Sequence, residues 1–292
     1  MAEDKLAGAR IGVFGKGGAG KSTLTAMLAR VLHQESYQVC VIDGDSTNVG
    51  LARALGLDVP ERSLLEYYGG TVFSGGLVTC PVDDPSPLLD AELSLDELPA
   101  EYFSREDGRL VLLTAGKMGG LGPGAGCDGP VAKIARDFNL LSGKEEYLTL
   151  IDFKAGFEDS ARGVLTRLDN VLVVIDPTTA SIEIAGDMLQ MVRQIQAGVL
   201  PATAHLQNPA LVDIANTYYQ ESTIQGVYFI LTQVPDQETQ NLLQDKLAAK
   251  GIQPIAAIPA DPAVRAAWLS GERIEIGQAE EELLKIVRAL EA

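Results

Sequence analysis

The segment Gly15-Lys16-Gly17-Gly18-Ala19-Gly20-Lys21-Ser22-Thr23 gathers glycines, lysines and hydroxyls directly after the apolar run Arg10-Ile11-Gly12-Val13-Phe14. It fits G-x-x-x-x-G-K-[ST], whose glycines let the backbone curl into a nest of N–H donors. A helix opening behind that nest adds partial positive charge, so the segment is suited to holding phosphates. On this reading Lys21 reaches the β- and γ-phosphates and Ser22 coordinates Mg²⁺. Gly15, Gly17, Gly18, Ala19, Gly20 and Thr23 complete the cradle.

The same letters also spell G-x-G-x-x-G at Gly15, Gly17 and Gly20, and Asp43 lies at the distance of a dinucleotide site's ribose-binding acid. Lys21-Ser22-Thr23 separates the readings, because a dinucleotide loop has no need of a lysine and a metal-binding hydroxyl together. A further run, Tyr147-Leu148-Thr149-Leu150-Ile151-Asp152, reads as a buried strand ending in an acid, where a Mg²⁺-facing carboxylate belongs. The triphosphate reading is preferred.

These groups need a scaffold that brings strand ends together. Val-, Ile- and Leu-rich runs at 10–14, 38–43, 110–114, 147–152, 170–175, 227–232 and 254–258 show little alternation, which suits parallel strands covered on both faces. Helical spacing lies between them, as in Leu24, Leu28, Val31 and Leu32, and again in Ile184, Met188, Met191, Val192 and Ile195. The pattern predicts one doubly wound α/β domain over residues 1–292, with a mostly parallel seven-stranded sheet and helices on both faces. Two stretches interrupt it: 69–109, rich in Gly, Pro and acid, and 197–225, with an extra helix near Pro209–Tyr219.

Composition narrows the function classes. A chain of 292 residues, 46% hydrophobic, can bury a full core. No apolar stretch approaches bilayer length, and Met1-Ala2-Glu3-Asp4-Lys5 lacks a signal-peptide pattern. Three cysteines without paired spacing suit a reducing cytosol, so a cytoplasmic protein is expected. The net charge of −17 argues against a nucleic-acid surface, and the acidic helix Glu280-Glu281-Glu282-Leu283-Leu284-Lys285-Ile286-Val287 against an anionic membrane.

Lys16, one residue after the first glycine, is not required by an ordinary phosphate loop. With it, the loop resembles that of the deviant phosphate-loop ATPases, the class of MinD, ParA, the arsenite and tail-anchored-protein ATPases and the nitrogenase iron protein. The resemblance implies ATP and Mg²⁺, and a homodimer that sandwiches nucleotide, with Lys16 reaching the partner's phosphates. Val41-Ile42-Asp43-Gly44-Asp45 is similar to the D-x-D of the class, which gives Asp43 a structural or Mg²⁺-water role and Asp45 the positioning of the attacking water. Asp152-Phe153-Lys154-Ala155-Gly156-Phe157-Glu158 resembles its second switch, in which Asp152 holds Mg²⁺ through water and the Gly156 N–H senses the γ-phosphate. The Pro/Thr/Ser turn at Asp176–Ser181 also has a counterpart in the class. The loop Ile258–Val264, with Pro259 and Asp261, is similar to the one beside the purine, and Gln233 stands where an adenine-binding Asn is usual.

Within the class the likeness is strongest to the nickel-insertion ATPases of carbon monoxide dehydrogenase (CooC type), through Ala155-Gly156-Phe157-Glu158-Asp159-Ser160-Ala161-Arg162-Gly163 and the glycine-rich block Gly116–Cys127. That type leads into C-x-C, whereas here Cys127 is followed by Asp128-Gly129-Pro130. The iron protein's G-x-G-C-x-G also fits Gly124–Gly129, but its second cysteine has no counterpart in 153–226. Cys127 is a candidate transition-metal ligand, for Ni or Zn at a dimer interface, completed by Asp128, Cys80 or a client; a small residue packed at the seam is the alternative. Cys40 reads as core, and His33 and His205 as isolated. Three functions stay open: an ATPase that loads a client metalloenzyme, an iron-protein-like reductase, and a MinD/ParA-like positioning switch.

Overall fold

The computed structural model describes residues 5–70, 77–117, 127–141, 146–156 and 158–292, without the side chains of Glu158 and Ala161. Met118–Gly126 of the glycine-rich block, Phe157 of the second switch and Met1–Asp4 therefore lie outside the described residues. Ten strands are described: β1 Arg10–Gly15, β2 Val39–Asp43, β3 Glu92–Ser94, β4 Phe103–Glu106, β5 Leu110–Thr114, β6 Asn139–Leu141, β7 Leu148–Asp152, β8 Asn170–Ile175, β9 Gly226–Val234 and β10 Ala256–Pro259.

The main sheet has eight strands in the order β10-β9-β8-β1-β7-β2-β5-β4. Seven are the parallel strands expected from the apolar runs. The eighth corrects the count of seven. β4, Phe103-Ser104-Arg105-Glu106, pairs antiparallel with β5 at the sheet edge, where a half-exposed polar strand is tolerated. β3 and β6 form a separate two-stranded parallel sheet.

Burial on both faces explains the apolar strands. Every residue of β2, β5, β7 and β8 is buried, and two core clusters flank the sheet. Phe14 and Phe153 stack with ring centroids 4.6 Å apart in one of them. On the helix Lys21–Gln34, Leu24, Leu28, Val31 and Leu32 are all buried, each worth roughly 1.5–3 kcal/mol relative to exposure. On the helix Thr179–Gln196 the buried stripe is Ile182, Ala185, Met188, Leu189, Val192 and Ile195, so Ile184 and Met191 sit at its margin.

The two interrupting stretches carry their own elements: β3 and β4 in 69–109, and the helix Pro209–Gln220 in 197–225. No helix among the described residues is long and apolar enough to cross a membrane. β1 lies centrally between β7 and β8, so the loop after it opens at the C-terminal sheet edge, where doubly wound folds gather their ligands.

Candidate functional site

The segments that follow β1, β2, β7 and β10 converge with the C-terminal end of β9 on one cavity of about 550 Å³. Its wall takes in Gly17, Gly18, Gly20, Lys21 and Ser22 at one end and Ile258, Pro259, Val264 and Trp268 at the other, with Asp45 and Asn48 on its side. The phosphate loop owes its path to its glycines. Gly15 has φ 149°, and a Cβ there would stand 2.5 Å from the Val174 carbonyl oxygen. Gly20 precedes the first helix in the left-handed region at φ 94°, leaving the N–H groups of the first turn free of a side-chain cap.

Lys21 is buried in the cavity wall. Burial lowers its pKa, while the charges of Asp152, Asp45 and Asp159 work against that shift. Ser22 Oγ donates to Asp152 Oδ2 across 2.5 Å, and Asn48 Nδ2 donates to both, at 3.0 and 3.2 Å. Burial pushes Asp152 up to about 6, with the Ser22 hydrogen bond and Lys21 pulling it back. Its other oxygen, Oδ1, is buried without a hydrogen-bond partner. Asp43 is pushed up to about 7 by burial, opposed by Lys117, whose ammonium lies 2.6 Å away.

The two carboxylates and the serine hydroxyl offer hard oxygen donors, and Asp152 Oδ1 is a buried oxygen that no protein group engages. That set fits Mg²⁺, which favours oxygen ligands and retains waters.

Asp45 anchors a turn, its Oδ1 accepting from Thr47 N and Thr47 Oγ1 at 2.9 and 2.6 Å. Gly156 N–H donates to Gly15 O at 3.1 Å, tying the second-switch segment to the phosphate loop. Lys16 is not in the cavity wall. Its ammonium sits 3.0 Å from Asp176 Oδ2, and Asp176 also accepts from Thr178 and Ser181. Burial would raise the Asp176 pKa, but these hydrogen bonds and Lys16 hold it below the usual range.

Beside the phosphate loop, Gln233 adopts φ 54° and its Nε2 donates to Gly18 O at 2.7 Å. A carbonyl only accepts, so this contact fixes the amide and leaves Oε1 as the acceptor for a ligand. Asp261 is spent partly on its helix, accepting from Ala263 N at 2.7 Å. Pro259 lines the same wall.

Cys127 is exposed, and its Sγ accepts from Gly129 N at 3.2 Å. A Cβ on Gly129 would lie 2.6 Å from Cys80 Sγ, so both sulfurs flank that glycine. Burial raises the Cys80 thiol, with the Val82 and Asp83 N–H groups pulling it down and the Cys127 sulfur adding to the rise. Asp128, expected as a further ligand, is committed to Lys154 at 2.5 Å and Arg162 at 3.1 Å. Among the described residues no three His, Cys, Asp or Glu side chains form a metal-holding group. Cys40 is fully buried, His33 pairs with Asp107, and His205 bonds the Val82 carbonyl.

Asn48, Lys117 and Trp268 escaped the sequence reading. Their partners lie 26 to 245 positions away, and no local pattern announces them.

Comparison with known proteins agrees with this geometry. The family model of the CobQ/CobB/MinD/ParA nucleotide binding domain (CbiA) matches residues 13–274. An uncharacterized ATP-binding protein of Methanocaldococcus jannaschii is 30% identical over 267 residues, covering 91% of this chain and 93% of its own. The carbon monoxide dehydrogenase accessory protein CooC of Rhodospirillum rubrum is 30% identical over 188 residues, 64% of this chain and 70% of its own. Among solved structures, the septum site-determining protein MinD of Pyrococcus horikoshii, complexed with Mg-ADP, superposes with a TM-score of 0.58 at 18% identity, covering 97% and 98% of the two chains.

Proposed function

The chain belongs to the CobQ/CobB/MinD/ParA nucleotide-binding family, and from that premise we propose that it is a Mg²⁺-dependent ATPase of the deviant phosphate-loop kind, working in the cytoplasm as a nucleotide-sandwiched homodimer. The observation that carries this reading is the single cavity joining Lys21 and Ser22, through Asp45, to an apolar pocket beside Gln233 and Pro259.

Backbone N–H groups of Gly17–Thr23 bind the phosphates, and Lys21 neutralises the β- and γ-oxygens. Ser22, Asp43 and Asp152 would hold Mg²⁺, the two carboxylates through water, and the ion would offset the charge of the phosphates. Asp45 holds the attacking water, and Gly156 gives up its bond to Gly15 to meet the γ-phosphate. Lys16 acts across the seam on the partner's phosphates. In one copy its ammonium rests on Asp176.

The output is delivery of a metal to a client metalloenzyme. Support comes from the likeness to CooC and from the sulfurs of Cys80 and Cys127, which flank Gly129 next to Asp128, itself ion-paired to Lys154 of the second switch. Two copies would present four sulfurs, the ligand number usual for zinc; Ni or Zn is then cargo. Steady-state hydrolysis with and without Mg²⁺, joined to anaerobic purification and metal analysis, tests the reading. Bound Ni or Zn supports it. A cluster chromophore would favour the reductase, and hydrolysis with neither would favour a positioning switch.

A further inference from the structure

The apolar end of the cavity contains the sole tryptophan of the chain, and three features fix its place. Trp268 Nε1 donates to Thr23 Oγ1 at 2.8 Å, so the indole is tied to the residue directly after the motif's Ser22. Its six-membered ring packs on Gly50, where a Cβ would stand 2.5 Å from Cζ3. Around it the cavity is lined by Leu24, Met27, Ile258, Val264 and Ile276.

The helix that carries it, Pro262–Ser270, has no buried residue. Asp261 caps its start and Gly271, at φ 69°, closes its end. Val264, Ala267 and Trp268, spaced along one face, pack half-buried against the core, so Trp268 is part of the seam that seats this helix. Trp268 is therefore both a wall of the cavity and an anchor of the helix beside it. On its far side, the Gly50 N–H donates to Asn48 Oδ1, and Asn48 reaches Ser22 and Asp152. The indole thus stands between the base end of the cavity and the turn that carries Asp45.

Resting on the ATP reading above, we propose that Trp268 is the surface against which the nucleobase lies, making it a specificity residue that binds the base and not the phosphates. Every base has a flat π-face, and stacking on an aromatic ring gains affinity that a bare polyphosphate cannot share. Because Gly50 leaves room for the indole, the same contact sets the position of the Asn48–Gly50 segment when the base is in place.

The test is calorimetric titration of wild type, W268A, W268F and G50A with Mg-ATP and, separately, with Mg-tripolyphosphate. W268A should bind ATP at least about tenfold more weakly and tripolyphosphate unchanged. W268F keeps a ring and loses the bond to Thr23, so its ATP affinity should stay within about threefold of wild type. G50A has an unstrained backbone at φ −113° but displaces the indole, so it should weaken ATP several-fold and spare tripolyphosphate. Equal losses for the two ligands, or W268F falling as far as W268A, would show that the indole only supports the loop and overturn the proposal. Undiminished ATP binding by W268A would overturn it too. Wild-type protein that binds tripolyphosphate but gains nothing from the nucleoside would remove the base site while sparing the phosphate loop. Wild-type protein that binds neither ligand would remove the ATP reading, and this inference with it.

Discussion

Lys117 Nζ lies 2.6 Å from Asp43 Oδ2 and donates to the Asp45 carbonyl oxygen at 2.7 Å, so one ammonium spans both ends of the Asp43-Gly44-Asp45 turn. Lys117 holds both ends of that turn, and its effect on chemistry runs through it. K117M should bind ATP within a few-fold of wild type and lose at least about tenfold in turnover. Above about pH 8, where the fold would otherwise ionise Asp43, it should also be destabilised by about 1–3 kcal/mol, since the buried carboxylate loses its charged partner. Adding D43N should return part of that stability, because no unpaired charge remains. Urea unfolding of the single and double variants checks this, and full stability in K117M would count against the ion pair.

The roles proposed for Lys21 and Asp45 predict different defects. K21A should abolish tight triphosphate binding, whereas D45A should bind ATP and lose most turnover. Wild-type hydrolysis by K21A would refute the phosphate-loop assignment. Unchanged turnover in D45A would transfer the water's positioning to Asp43 or to the backbone.

Without nucleotide, the buried carboxyls make stability depend on pH. Asp43 keeps its proton up to about 7 in the fold, against an ordinary value of 3.8. Asp152 keeps its proton to about 6. Between pH 4 and 7 the folded chain thus binds more protons than the unfolded one, and this contribution to stability is lost as pH rises. Melting temperature should fall over that window more steeply in wild type than in D43N. Identical slopes would contradict the burial of Asp43.

Cys80 and Cys127 flank Gly129, and the neighbouring Asp128 is ion-paired to Lys154, two residues after Asp152. Thiol modification of Cys127 should therefore change in rate, by about threefold or more, when a slowly hydrolysed ATP analogue binds. K154M should abolish that response while leaving ATP affinity near wild type. C80S and C127S should each lower bound metal in anaerobic preparations. A nucleotide response preserved in K154M would place the coupling elsewhere.

Much of this molecule is legible along the chain, for reasons that vary by element. The central parallel strands β2, β5, β7 and β8 show because each is a Val-, Ile- or Leu-rich run buried on both faces, and β9 and β10 show through shorter apolar runs. β4 does not, because Phe103-Ser104-Arg105-Glu106 lies at an edge where polar side chains cost little. The phosphate loop is local and therefore readable. Lys117 and Trp268 enter the site through bonds spanning 74 and 245 positions, which only the fold creates. The left-handed backbone of Gln233 and its grip on Gly18 are likewise invisible in residue order.

The central claim is that ATP bridges two copies of the chain with Lys16 reaching across. In one copy Lys16 rests on Asp176, which must release it for that role. Sedimentation of wild type and K16A, with Mg-ADP and with a slowly hydrolysed ATP analogue, measures this directly. The account predicts a wild-type dimer with the analogue alone, and a K16A chain that binds the analogue yet stays monomeric. A wild-type protein that remains monomeric with saturating analogue would contradict the sandwich mechanism and the shared sulfur site built on it.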